Sequence, residues 1–205
     1  MEFHIENTEV HGLTKSIIAS GNAMRTVMDD NTVEAPSEKD IKRARTLGKT
    51  GTGQGHDNFL NGIIVQFDLY APLYMWKQIQ RYHFMDFISS QSTMHRLARF
   101  DIRSQCVKEV DPVILERYQE LLDEYNEALN PTTEQWRVLV ASLPSGFVLG
   151  ATMTTNYRQL KTIYEQRKYH KLKEWQVFCN WCESLPMFTE LCLHDTRADD
   201  KGGGE

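Results

Sequence analysis

The chain has 205 residues, of which 25% are charged and 40% hydrophobic, and its net charge is −5. That length suits one domain with its own core, and the acidic balance argues against general nucleic-acid binding through phosphate neutralisation. No apolar run approaches a bilayer span, and the start Met1-Glu2-Phe3-His4-Ile5-Glu6 is acidic and lacks a signal-peptide apolar region, so the expected location is the cytoplasm.

Residues 1–30 combine a short strand-like start with a helix around Leu13, Ile17 and Ile18. Residues 31–40 are polar and hold Pro36 and Ser37, a loop leading into a helix over Glu38–Arg45. The run Gly48-Lys49-Thr50-Gly51-Thr52-Gly53-Gln54-Gly55 is too rich in glycine for a helix or strand and reads as a mobile loop. It is not expected to be a triphosphate-binding loop, because its Gly-Lys-Thr comes first and no apolar strand precedes it.

Residues 62–70 form the clearest strand, with Ile63, Val65, Phe67 and Leu69 on one face. Pro72 then opens a helix, where its missing N–H costs nothing, and this helix is expected to carry Leu73, Trp76, Ile79 and Tyr82-His83. Trp76, Phe84 and Phe87 read as core. Residues 112–129 repeat apolar positions at helical spacing, and Asn130-Pro131-Thr132-Thr133 ends that helix and caps the next over Glu134–Val140. A break at Leu143-Pro144-Ser145-Gly146 precedes a strand over 147–155 and helices over 156–168 and 175–184. Helices interleaved with one good strand and a few weaker ones imply an α+β fold. Residues 1–194 are expected to form a single domain, and the polar, glycine-ended residues 195–205 a disordered tail.

Two stretches carry candidate chemistry. One is Asn156-Tyr157-Arg158-Gln159-Leu160, with Arg167 at the far end of the same helix. The other is Gln78-Ile79-Gln80-Arg81-Tyr82-His83, leading into Ser89-Ser90-Gln91-Ser92-Thr93-Met94-His95-Arg96. Both set cations and amides beside bulky apolar residues, which suits a flat anionic ligand such as a nucleotide or flavin. Simpler readings stand beside these. Arg158 and Arg167 with Glu165 also fit a solvated helix face, the serines fit a polar turn, and His83 beside Phe84 fits a core histidine.

Four cysteines, Cys106, Cys179, Cys182 and Cys192, read as reduced thiols. Cys179, Cys182, Cys192 and His194 are a complete zinc set on paper, but the first pair lies on a strongly helical segment where Trp175, Phe178 and Cys182 have core spacing, so packing is the expected role. Cys106 sits in a polar sequence context that offers no activated thiolate.

Read in order over residues 40–185, these pieces resemble the flavin-dependent thymidylate synthases. Arg43-Ala44-Arg45, the glycine loop and Gly55-His56 resemble the family's entry segment. The strand into Ala71-Pro72, with Gln78 and Arg81 three apart, resembles the start of its signature, and Leu143-Pro144, Asn156, Arg158, Arg167 and Trp175 keep the intervals of its C-terminal half. The signature itself is altered. Its middle is one residue longer, its second arginine falls on His83, its Asn-Glu on Ser89-Ser90 and its last arginine on Met94, with His95 and Arg96 close behind. A family arginine before Leu-Pro falls on Val140.

The resemblance implies helices around a small, mostly antiparallel sheet and a homotetramer. It implies conversion of dUMP to dTMP, with methylenetetrahydrofolate as carbon donor and NADPH-reduced FAD as hydride source. By the same resemblance Arg167 stabilises charge on the pyrimidine as the catalytic residue, and Gln78, Arg81, Ser90, Ser92 and Thr93 join it in holding the substrate. Arg81, His83, Asn58, Asn156 and Arg158 meet the flavin. No metal, nucleic acid or membrane enters. The alternative is a diverged homologue, either non-catalytic or of altered specificity, such as one that hydroxymethylates a pyrimidine.

Overall fold

Apolar alternation seats the central strand. In the computed structural model, which describes residues 1–28, 35–51 and 53–194, Ile63, Val65, Phe67 and Leu69 are each at most 1% exposed. Complete burial of side chains of this size stabilises by about 1.5–3 kcal/mol each.

The chain runs β1 (His4–His11), α1 (Leu13–Ala19), α2 (Glu38–Gly48), β2 (Ile64–Pro72), α3 (Leu73–Ile79), β3 (Asp86–Ser90), α4 (Thr93–Arg96), α5 (Ile102–Gln105), α6 (Pro112–Glu127), α7 (Thr133–Ser142), β4 (Val148–Asn156), α8 (Tyr157–Arg167), α9 (Lys173–Ser184) and α10 (Phe188–Cys192). Tight 3-10 turns lie at Asn22–Met24, Asn58–Gly62 and Leu97–Arg99. The sheet order is β1-β2-β4-β3, and β3 pairs antiparallel with β4 at an edge.

The packing resolves into two compact units. The first comprises Met1–Thr8 and Gln66–Thr154, and the second Glu9–Val65 and the chain from Thr155 on. In the first unit, Leu97, Ile102, Cys106, Tyr118, Leu122, Leu139 and Phe147 form a buried cluster. Its helices start where their caps require. Asp111 accepts from Val113 N at 2.8 Å with Pro112 in the first turn, and Thr132 and Gln135 cap each other across the first turn of α7. The Tyr118 hydroxyl donates to the Leu139 carbonyl at 3.1 Å, tying α6 to α7.

In the second unit, α8 buries Tyr157, Leu160 and Ile163, α9 buries Trp175, Phe178, Cys179 and Cys182, and α10 buries Phe188 and Leu191. The Tyr157 hydroxyl donates to the Pro186 carbonyl at 2.7 Å while its ring meets Phe188 edge-on at 5.2 Å. Trp175, Phe178 and Cys182 are thus buried as their spacing predicts.

Four expectations need correction. The helix after Pro72 stops at Ile79, its last buried position, and does not reach Tyr82-His83; Gln80 N closes it onto the Trp76 carbonyl at 3.0 Å. Trp76 is core, but Phe84 and Phe87 are 69% and 42% exposed, because Phe84 lies in a turn with a φ of 59° and Phe87 lies on the edge strand β3. The strands sit one or two residues later than the sequence patterns suggest, at Ile64–Pro72 and Val148–Asn156. Cys106 is buried among apolar side chains, which pushes its thiol up to about 11. The sequence pattern also missed β3, α4, α5 and α10, all of five residues or fewer. Residues 195–205, where a disordered tail is expected, lie outside the described residues.

Candidate functional site

The candidate residues divide between the units: Gln78, Arg81, His83, Ser90, Ser92 and Thr93 in the first, and Asn58, Asn156, Arg158 and Arg167 in the second.

In the first unit, the sheet face opposite the buried stripe of β2 carries Asp68 and Tyr70. With Gly150 and Thr152 of β4 and Ser89, Ser90 and Gln91, they line a shallow polar depression of about 210 Å³. Thr152 Oγ1 donates to Asp68 Oδ1 at 2.5 Å and Asn7 Nδ2 to Asp68 Oδ2 at 2.8 Å. These two bonds hold the Asp68 carboxyl below the usual carboxylate range. The His4 ring stacks on Tyr70 with centroids 4.4 Å apart. Gly150 is required here: an added Cβ would sit 2.7 Å from the Tyr70 ring.

The serines reach this face through an irregularity. Asp86 and Phe87 pair with Thr154 and Met153, and Ser89 and Ser90 with Thr152 and Ala151, so Ile88 bulges out as an extra residue. Just beyond, Gln91 N donates to the Gly150 carbonyl and Gln91 Oε1 accepts from Gly150 N, both at 2.9 Å. Ser92 caps α4, its Oγ accepting from His95 N at 3.2 Å, and Thr93 is the first residue of that helix. Gln78 is half-buried near the end of α3, while Arg81 and His83 are exposed in the turn that follows. Of these six candidates, Ser90 alone lines the depression.

In the second unit, Asn156 caps α8, its Oδ1 accepting from Gln159 N at 2.9 Å. Arg158 and Lys161 share one side of that helix, being three residues apart. Arg158 Nε donates to Asp57 Oδ1 at 3.1 Å, and Lys161 Nζ lies 3.4 Å from Asp57 Oδ2. Lys161 Nζ also donates to the carbonyls of Gly48 and Thr50, at 2.8 and 2.6 Å. The ammonium thus has an acceptor for each of its three protons. The Lys161 and Asp57 side chains are 1% and 2% exposed, against 32% for Arg158. Asn58 is exposed beside Asp57 at the start of the 3-10 turn. At the far end of α8, the Arg167 guanidinium lies 4.8 Å from the centroid of the buried Trp175 ring.

Sequence reasoning missed Asp57 and Lys161. A signal was present: Lys161 occupies the helical position four after Tyr157 and three before Tyr164, within the face that also carries Leu160. A lysine inside an apolar stripe calls for a buried partner. The partner lies 104 positions away in sequence, beyond any local pattern.

Burial raises the thiols of Cys179, to about 11, and of Cys182 and Cys192, so all three are protonated at neutral pH. Among the described residues no group of three or more His, Cys, Asp or Glu side chains is placed to hold a metal ion. No helix among them is long and apolar enough to cross a membrane.

No protein-family model matches the chain, and no curated protein matches it in sequence. Solved structures do match. The flavin-dependent thymidylate synthase ThyX of Helicobacter pylori, complexed with FAD and dUMP, superposes with a TM-score of 0.68 at 15% identity over 94% of this chain and 98% of that one. The UMP/dUMP methylase PolB of Streptomyces cacaoi, bound with 5-Br dUMP, superposes with a TM-score of 0.64 at 16% identity over 93% and 91%. The chain has the flavin-dependent thymidylate synthase fold, helices around a small antiparallel sheet, as its sequence resemblance implied.

Proposed function

We propose that this chain is an enzyme that binds a pyrimidine nucleoside monophosphate and FAD and adds a one-carbon group to the pyrimidine. The specific form is conversion of dUMP to dTMP, with methylenetetrahydrofolate as carbon donor and NADPH as reductant of the flavin. The observation that carries this reading is a fold likeness spanning nearly the whole of both chains to a protein complexed with FAD and dUMP.

The residues present fit those ligands. FAD carries a diphosphate, and Arg81, a guanidinium, and His83, whose ring can donate a hydrogen bond, are both exposed in one turn. Arg158 commits one of its five N–H donors to Asp57 and is a third exposed, so four remain for an anionic ligand. Asn156 uses its carbonyl oxygen as a cap and keeps its amide donors, and Asn58 is exposed. When bound and reduced, FAD supplies the hydride.

On the nucleotide side, Arg81, with Gln78, Ser90, Ser92 and Thr93, holds the phosphate. The Ser92 oxygen accepts from His95 N, which leaves its O–H to donate. Arg167 is the catalytic residue, placing a guanidinium against negative charge that develops at N3 and O2 of the pyrimidine. Its position over Trp175 limits its rotamers before substrate arrives. The active assembly in this reading is a cytoplasmic homotetramer, with residues 1–194 as one functional domain.

Likeness to a UMP/dUMP methylase favours a second reading in which the sugar is not restricted to deoxyribose. One experiment addresses both. Protein is incubated with excess FAD, its spectrum recorded, and NADPH, methylenetetrahydrofolate and either dUMP or UMP are added. NADPH should bleach the flavin, colour should return only with both co-substrates, and mass spectrometry should find the added carbon. Folded protein that takes up no FAD would remove the enzyme reading and favour a non-catalytic homologue; turnover of UMP would establish the broader specificity.

A further inference from the structure

We propose that Asp57 is a positioning residue: it fixes Arg158 for the flavin, and Lys161 links that same carboxylate to the base of the glycine-rich loop. The proposal rests on the flavin reading given above.

Three observations carry it. First, Asp57 is an acid at 1% exposure, and a carboxylate is retained in such a place only when its charge is compensated. It receives two cations, one on each oxygen, Arg158 Nε at 3.1 Å and Lys161 Nζ at 3.4 Å. Second, the two cations differ. Lys161 is buried and has its full set of acceptors within the protein, so it is structural. Arg158 is 32% exposed and gives Asp57 only its Nε. An arginine held by Nε has its χ angles set while its terminal nitrogens remain donors, which is the arrangement a ligand-binding guanidinium needs. Third, Lys161 closes on the carbonyls of Gly48 and Thr50 as well as on Asp57. The start of the glycine run and the Arg158 side chain therefore depend on one carboxylate.

A merely structural Asp57 would stabilise the fold without acting through Arg158. The discriminating experiment is a double-mutant cycle on FAD affinity, read by quenching of flavin fluorescence, with wild type, Asp57→Asn, Arg158→Ala and the double variant. Asp57→Asn should weaken FAD binding on the order of tenfold, the scale of coupling between contacting residues. It should add no further loss once Arg158 is alanine. Losses that simply multiply would overturn the proposal and leave the flavin reading standing.

If Asp57→Asn does not fold, Arg158→Lys replaces it. That variant alters a partly exposed site, keeps the charge and lacks the Nε–H, and it should lose as much affinity as Arg158→Ala; FAD affinity equal to wild type overturns the proposal. The Arg158 Nε–H resonance in a ¹⁵N spectrum of the FAD-free protein tests the bond itself. Protection from solvent exchange is expected, and rapid exchange overturns the proposal whatever FAD does. Folded wild-type protein that binds no FAD removes the flavin reading and this proposal together, with the resonance still reporting on the bond.

Discussion

The Arg167 guanidinium lies 4.8 Å from the centre of the Trp175 ring, and that ring is completely buried. The tryptophan at the start of α9 is therefore both core and platform. A guanidinium can lie flat on such a face and keep its edge donors available, whereas an ammonium cannot do both.

Arg167 can accordingly be tested apart from stability. Arg167→Ala should weaken dUMP binding by about 1.5–3 kcal/mol, the range for charge-assisted hydrogen bonds. The loss of its cation–π contact with Trp175 should itself lower folding stability by about 0.5–1 kcal/mol. Arg167→Lys should recover stability but not dUMP affinity. Calorimetric titration beside urea denaturation checks both; full dUMP affinity in Arg167→Ala would exclude the substrate role.

Arg81 has a different signature. If it grips phosphate, Arg81→Ala should lose about 1.5–3 kcal/mol of affinity for the nucleotide and almost none for the nucleoside. Equal affinities of wild-type protein for deoxyuridine and dUMP would remove Arg81 from that role.

Lys161→Met should lower stability by about 3–5 kcal/mol, because one partner of a buried ion pair is removed and two carbonyls lose their donor. The same change should speed tryptic cleavage at Lys49, between the two carbonyls that Lys161 holds. Chemical denaturation and timed proteolysis read the two effects; wild-type behaviour in both would mean that the cluster contributes nothing.

Acid sensitivity should trace in part to the start of α2. There the Ser37 hydroxyl, with Arg43 adding to it, lowers the Asp40 carboxyl from 3.8 to about 2. The depressed value means that the charged form is favoured by folding. That stabilisation is complete above the unfolded value of 3.8 and disappears as pH falls through about 2. Asp40→Asn should be less stable than wild type at pH 6, and the difference should shrink towards pH 2. A constant difference across that range in urea midpoints would contradict the assignment.

Particular residues show how far the sequence could be read. Alternation at Ile63, Val65, Phe67 and Leu69 and the caps at Asp111 and Thr132 act locally, and the chain folds there as its pattern says. Asp86-Phe87-Ile88-Ser89-Ser90 gave no strand signal, because an edge strand exposed along its whole length has no buried face to impose alternation. Asn156 and Arg158 were legible as candidates through family spacing, but their local bonds were not: one caps its helix and the other meets a carboxylate 101 positions earlier. Lys161 carried a signal in its place within the apolar stripe of α8, but its partner Asp57 lies 104 positions away, where only the fold brings the two together.

The bulge at Ile88 works as a parity switch. In an unbroken strand, Phe87 and Ser89 would point the same way. Here one side-chain direction is skipped. Phe87 packs its ring 5.1 Å from Trp76, while Ser89 lines the polar depression beside Asp68 and Tyr70. The side chain just before the bulge thereby meets an aromatic ring and the one just after it lines the depression, with Gln91 fastened at both ends to Gly150 as the stop that fixes the count. Chain length in this stretch is consequently uncoupled from the position of the serines. Deleting Ile88 should leave Phe87–Met153, Ser89–Thr152 and Ser90–Ala151 as consecutive pairs of a regular ladder, whereas deleting Ser89 should set Ile88 opposite Thr152, at the polar depression. Backbone amide chemical shifts of Gly150 and Ala151 that stay near wild type in both deletions would show that Ser90 and Gln91 hold their register whatever the strand length before them; displacement in either would contradict it.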